Sequence, residues 1–318
     1  TYHMGVGFPA APAAEKDRKF LQQLRQMAQQ RNMELMRRVN QFLDPVVLDY
    51  EADVLPLTPS GNATERHMCL AYARKAAAVF GDGNQLAAFW SEKLAAAAEG
   101  LGLPDGAALQ NTIRSKLMKR GGVGYVQPDQ GSFPKMAETN AFLLAAGAIP
   151  TLTWLNGFSA GEKKIEQLLE VAMSSGVAAI NIIPDRNYTP GVEDEKAANL
   201  NHIVEVAERL QLPVVVGTEM NSPGQKFVDD FRSRELQKLL PVFLKGGHIV
   251  YAHSLMQRQC GLGYTSRWAN EVFADTKAKN EFFEQVGRRL QPVQQRCLAG
   301  FDANAAPEQI VKKLEQNK

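Results

Sequence analysis

Four short apolar runs, each preceded by an amphipathic stretch, constrain this chain more than any other feature. They are "AIPTLTWL", "VAAINIIP", "LPVVVGTE" and "HIVYAHSL". The stretches before them, Phe133 to Ala146, Gly161 to Ser174, Glu195 to Leu210 and Ser233 to Lys245, carry a helical period. β-Branched runs without polar alternation suit strands buried on both faces, so the pattern predicts parallel βα units. The spacing fits either a barrel or an open, doubly wound sheet.

The first third reads differently. A long helical pattern runs from about Ala14 to Phe42, followed by a strand-like "PVVLDYEADVLPLTP". "SGNATERHMCLAYARKAAAVF" then predicts a helix capped by Asn62 or Thr64, with more helix over Gln85 to Ala98 and Ala107 to Lys119. The expected division is a strand region at 1–13, a helical insertion at 14–124, βα units over 125–300 and a C-terminal helix at 301–318. Because "YHMGVGF" is already strand-like, an upstream segment is expected to be missing.

In parallel α/β folds, reactive groups gather where strands end. The four runs end in Trp154 with Asn156, Asp185-Arg186-Asn187, Glu219 with Asn221, and His253-Ser254. Residues two apart on a strand share a face, so Asp185 with Asn187, and Glu219 with Asn221, are expected to point together. Asp185, Glu219 and His253 from neighbouring strands would form an N,O donor set for one divalent metal. The alternative is structural, with the acids capping helices or pairing with Arg186 or Arg258.

"NSPGQKFVDDF" predicts a helix entering after the third strand, with Ser222 as cap, Pro223 in the first turn and Lys226 near an anion-binding terminus. Arg66 and His67 open another helix and are further candidates, while His202 and His248 read as structural.

Composition removes several function classes. The 318 residues are 45% hydrophobic, enough for a large core, and the formal charge of +2 leaves no footprint for nucleic acid or an anionic membrane. Cys69, Cys260 and Cys297 lack paired spacing and read as reduced thiols, which points to a cytoplasmic protein. The longest apolar stretch, Ala141 to Leu155, is too short to span a bilayer.

The order "YHMGVGF", "LRQMAQQRNMELMRRV", "ATERHMCLAYARKA", "AAGAIPTLTWL" and "VVVGTEMNSPG" resembles the polymerase-and-histidinol-phosphatase (PHP) superfamily. The resemblance implies an α/β fold, a distorted TIM-like βα barrel incomplete at its N-terminus. It also implies metal-dependent phosphoesterase activity with zinc, manganese or iron. His3 and His67 then join Glu219, Asp185 and His253 as candidate ligands. Trp154 stands where such strands end in a ligand histidine, and Glu219 and Asn221 where the late aspartate and histidine fall.

Three functions follow as expectations. In the first, Glu219, His253 and Asp185 hold a metal that activates water for hydrolysis of an anionic small molecule. Arg186, Asn187, Asn221, Lys226, Arg258, Trp154 and Arg66 would bind that substrate. The second is a metal-free barrel serving as a small-molecule binder or structural partner, with Trp154 as an aromatic wall. A sugar isomerase or lyase on the same barrel is the third.

Overall fold

Three of the four apolar runs form strands in the computed structural model of the protein, which describes residues 2–81, 83–128, 132–187, 193–220, 225 and 227–316. The chain begins with β1 (Tyr2–Val6) and α1 (Glu15–Leu43), then α2 (Glu65–Phe80), α3 (Asn84–Leu94), α4 (Ala107–Ile113) and α5 (Met136–Ala145). Next come β2 (Ile149–Trp154), α6 (Ile165–Ser174), β3 (Ala179–Ile182), α7 (Glu193–Arg209) and β4 (Val214–Val216). α8 (Leu240–Cys260), α9 (Arg267–Val272), α10 (Thr276–Arg289) and α11 (Pro307–Gln316) follow.

Two compact units divide the chain, one of residues 1–17 with 135–318 and one of 18–134. The second is helical. Its core gathers Val39 and Leu43 of α1, Met68 and Tyr72 of α2, Trp90 of α3 and Ile113 of α4. The strand expected over "PVVLDYEADVLPLTP" is not formed. Asp49 accepts from the Ala52 N–H at 2.7 Å, and Asp53 accepts from the Asp49 N–H at 2.8 Å, so side chains help wind this stretch into a π-helical turn at Tyr50–Val54. Local carboxylates have outcompeted a sheet ladder for the backbone donors.

The first unit holds a four-stranded sheet in the order β1-β2-β3-β4. β1 runs antiparallel to β2, while β2, β3 and β4 are parallel. On one face, Leu152, Trp154, Ile180, Ile182 and Val214 pack with Leu169 of α6 and with Leu200 and Val204 of α7. On the other, Ile149 and Ala179 meet Ile249, Ala252 and Met256 of α8 and Phe283 of α10.

This sheet corrects the expected TIM-like barrel. β1 and β4 are its two edges and do not pair with each other. The fourth run, "HIVYAHSL", is the middle of α8 and not a strand. Buried Gly246, Ile249, Ala252, His253 and Met256 recur at three- and four-residue intervals, so tertiary packing overrides the β-branched pair Ile249-Val250. Pro241 starts the helix and Gly261, at φ 74°, ends it. The helix expected over "NSPGQKFVDDF" is not formed by Phe227 to Phe231, and Ser222, Pro223 and Lys226 lie outside the described residues. Among the described residues no helix is long and apolar enough to cross a membrane.

α8 lies against β4 through one glycine. A Cβ on Gly246 would stand 1.8 Å from the Val214 carbonyl oxygen, whereas one on its neighbour Gly247 would meet nothing within 4 Å. Gly246→Ala should therefore lower stability by about 2–3 kcal/mol through overpacking. Gly247→Ala should raise it by up to about 1 kcal/mol through helix propensity. Urea unfolding of the two variants tests this; equal shifts would contradict the close approach of α8 to β4.

Candidate functional site

β3 and β4 end in polar residues that hold one another. After Ile182 the chain turns through a short 3-10 segment, Pro184–Asn187. Asn187 is fully buried there and donates to Leu155 O at 3.1 Å and Ile183 O at 2.9 Å, tying the end of β2 to the end of β3. Asp185 and Asn187 thus sit on a turn and not on one face of a strand. Arg186, between them, reaches across to Glu219 beyond β4. Nε donates to Oε2 at 2.5 Å and Nη2 to Oε1 at 2.8 Å, a two-pronged pair. The guanidinium side chain keeps 38% of its surface exposed against 21% for the carboxylate. Hydrogen bonding to Glu219 raises the Arg186 pKa further, with smaller contributions from Tyr2 and Glu162.

The register places a row of side chains on the sheet face opposite α6 and α7. Tyr2, Thr153, Asn181 and Val215 are successive partners across the four strands. Asn181 is only 5% exposed, and its amide hydrogen-bonds to no described residue. Gly217 lies beside it, where a Cβ would be 3.2 Å from Asn181 Oδ1. Close by in sequence, the Thr218 hydroxyl donates to Asp229 Oδ2 at 2.8 Å, while buried Asp229 Oδ1 has no partner among the described residues. Among the described residues the rim therefore combines Arg186, several carboxylates and buried amides with spare hydrogen-bonding capacity.

Sequence reasoning missed Asn181 and Asp229. A lone amide inside "VAAINIIP" was the available signal for the first. Nothing in the sequence marks Asp229 apart from its neighbour Asp230.

His253 does not join the rim. It sits on α8, where Nε2 donates to Gly147 O and Nδ1 accepts from the Tyr264 N–H, both at 2.9 Å. A carbonyl can only accept and an amide N–H can only donate, so the neutral tautomer is fixed. Gly147 precedes β2, whereas Arg186 and Glu219 follow β3 and β4, so a strand length of roughly 20 Å separates the two places. The expected common cavity for Asp185, Glu219 and His253 is corrected accordingly. Arg258 is at the His253 end as well, donating to Pro9 O at 3.0 Å.

The other candidates are dispersed. His3 on β1 pairs through Nε2 with Asn140 Oδ1, and burial lowers its pKa. His67 belongs to the helical unit, where Nδ1 accepts from the Thr64 N–H at 3.1 Å in the cap of α2. Arg66, beside it, donates to Asn111 Oδ1. Trp154 is buried on the face of the sheet covered by α6 and α7. Asp185 is half-buried and hydrogen-bonds to no described residue. Asn221 and Lys226 lie outside the described residues. Among the described residues no three His, Cys, Asp or Glu side chains converge as a metal would require.

The pH dependence of stability carries the signature of His253. Burial lowers its pKa to about 4, against about 6.5 for an unfolded imidazole. Between those values the unfolded chain binds a proton that the folded chain refuses. This contribution leaves stability whole above about pH 6.5 and removes roughly 3 kcal/mol as the pH falls to about 4. Denaturant titrations across this range should show the loss in the natural chain and not in His253→Gln. Parallel profiles would contradict the buried neutral imidazole.

Compared with known proteins, the chain matches no protein-family model and no curated protein.

Proposed function

We propose that the carboxyl rim of β3 and β4 binds a small molecule bearing a carboxylate or phosphate, with Arg186 as the recognising group. The observation that carries this is the two-pronged Arg186–Glu219 pair on a partly exposed rim. Glu219 engages Nε and Nη2 and fixes the plane of the guanidinium, while the donors of Nη1 meet no described residue. A planar, oriented fork suits bidentate oxyanions better than a flexible ammonium does. The carboxyl ends of parallel strands are the usual place for such ligands. Asn181, with an unused amide, supplies a neutral contact to the remainder of the molecule.

Metal-dependent hydrolysis, which the PHP resemblance implies, fits these residues poorly. Glu219 is committed to Arg186, both ring nitrogens of His253 are engaged, and His67 caps a helix. A metal at Glu219 would first have to displace the guanidinium, giving up a charge-assisted pair.

Calorimetric titration with inorganic phosphate, glycerol 3-phosphate and citrate tests the proposal, with metal analysis of the same preparation. At least one probe should bind saturably, and Arg186→Gln and Arg186→Lys should each weaken it about tenfold or more. Thermal melts check that both variants fold. No binding by any probe at tens of millimolar, or binding indifferent to Arg186→Gln, would overturn the proposal. Stoichiometric zinc, manganese or iron lost in Glu219→Gln would replace it with metal-dependent hydrolysis.

A further inference from the structure

A cavity lies on the side of the sheet covered by α6 and α7. It has a volume of about 230 Å³ and opens between the loop after β2 and the polar stripe Glu195, Asn199 and His202 of α7. These three recur at four- and three-residue spacing, so one side of the helix presents them together. Trp154 and Phe158 supply aromatic walls.

The cavity is held before any ligand arrives. Glu162 accepts from the Leu155 N–H at 2.6 Å and from the Ser159 hydroxyl at 2.9 Å, bracing the loop at both ends. Asn199 Nδ2 donates to Asn156 O at 3.1 Å. Gly157, at φ 83°, fits beneath it, since a Cβ there would come within 2.9 Å of Asn199 Nδ2.

One donor in its lining has no partner among the described residues. Trp154 is only 2% exposed and lines the cavity, yet its indole N–H donates to no described residue. This donor is therefore available to an acceptor atom on a ligand in the cavity. Around it, Asn199 Oδ1 and the Glu195 carboxylate accept, and the His202 imidazole does either. Phe158, 36% exposed, offers an apolar face.

We infer that this cavity binds a neutral, polyhydroxylated molecule of monosaccharide size. Hydroxyl groups both donate and accept, which matches the mixed lining, and the C–H face of a sugar ring matches Phe158. Glu162 and Glu195 oppose an anion, with Lys163 the one cation among the lining residues. A nucleotide is disfavoured by size, because pockets for drug-sized ligands run from roughly 300 Å³ upward.

The test is saturation-transfer NMR and calorimetry with glucose, galactose, mannose, xylose and mannitol on the full chain. At least one should bind saturably below tens of millimolar, and Glu195→Ala and His202→Ala should each weaken it about tenfold. Both residues are exposed on α7, so neither variant threatens the fold. Trp154→Phe, which keeps an aromatic ring and removes the N–H, should weaken binding in the same way. Arg186→Gln should leave sugar binding unchanged and so separates this cavity from the rim. No binding across the whole panel would overturn the inference. So would sugar binding that survives both α7 variants, or that Arg186→Gln abolishes.

Discussion

The backbone of β4 carries α8 directly upon it, and most of the sheet-bearing unit follows from that contact. Gly246 makes it possible, because any side chain there would occupy the space of the Val214 carbonyl. With α8 seated at this edge, the chain does not continue as a further strand, and the sheet stops at β4. α10 repeats the device one layer out, where a Cβ on Gly287 would lie 2.1 Å from the His248 carbonyl oxygen. Two glycines in helices, a costly placement for propensity alone, are offset by close backbone packing. His253 then secures the other end of α8 to Gly147 and Tyr264.

Closing a barrel would set further strands against the face of the sheet that α8 and α10 cover here. Here the row Tyr2, Thr153, Asn181 and Val215 has no such cover from strands, and Tyr2 and Met4 remain 66% and 39% exposed. At the rim beyond the strands, Arg186 and Glu219 keep 38% and 21% of their side-chain surface exposed. The opposite face, sealed by α6 and α7, leaves the Trp154 cavity as a separate recess. One end of one mixed sheet thus supports two polar surfaces with different chemistry, one organised by a guanidinium and the other by an indole and a helix stripe.

The parallel core was legible because β2, β3 and β4 are apolar runs bounded by amphipathic helices, where period and burial agree. α8 was not legible, since Ile249-Val250-Tyr251 carries strand propensity and only contact with β4 and α10 decides otherwise. Arg186, Asp185, Asn187 and Glu219 were all singled out from their places after strands. Pairing with Arg186 was the structural alternative, and the Arg186–Glu219 pair bears it out; which acid takes the arginine, across 33 residues, depends on strand register, which no local spacing encodes. His253 misled for the same reason as α8: placed on a helix, its ring serves the core. Asn181 was hidden inside an apolar run.

Arginine side-chain NMR addresses the central claim most directly, by following the Nε–H resonance of Arg186 in the intact chain. Clamped by Glu219, this proton should exchange slowly, shift on titration with an oxyanion, and exchange rapidly in Glu219→Gln. An Nε–H that exchanges as fast as those of fully exposed arginines, and ignores every oxyanion added, would contradict the account.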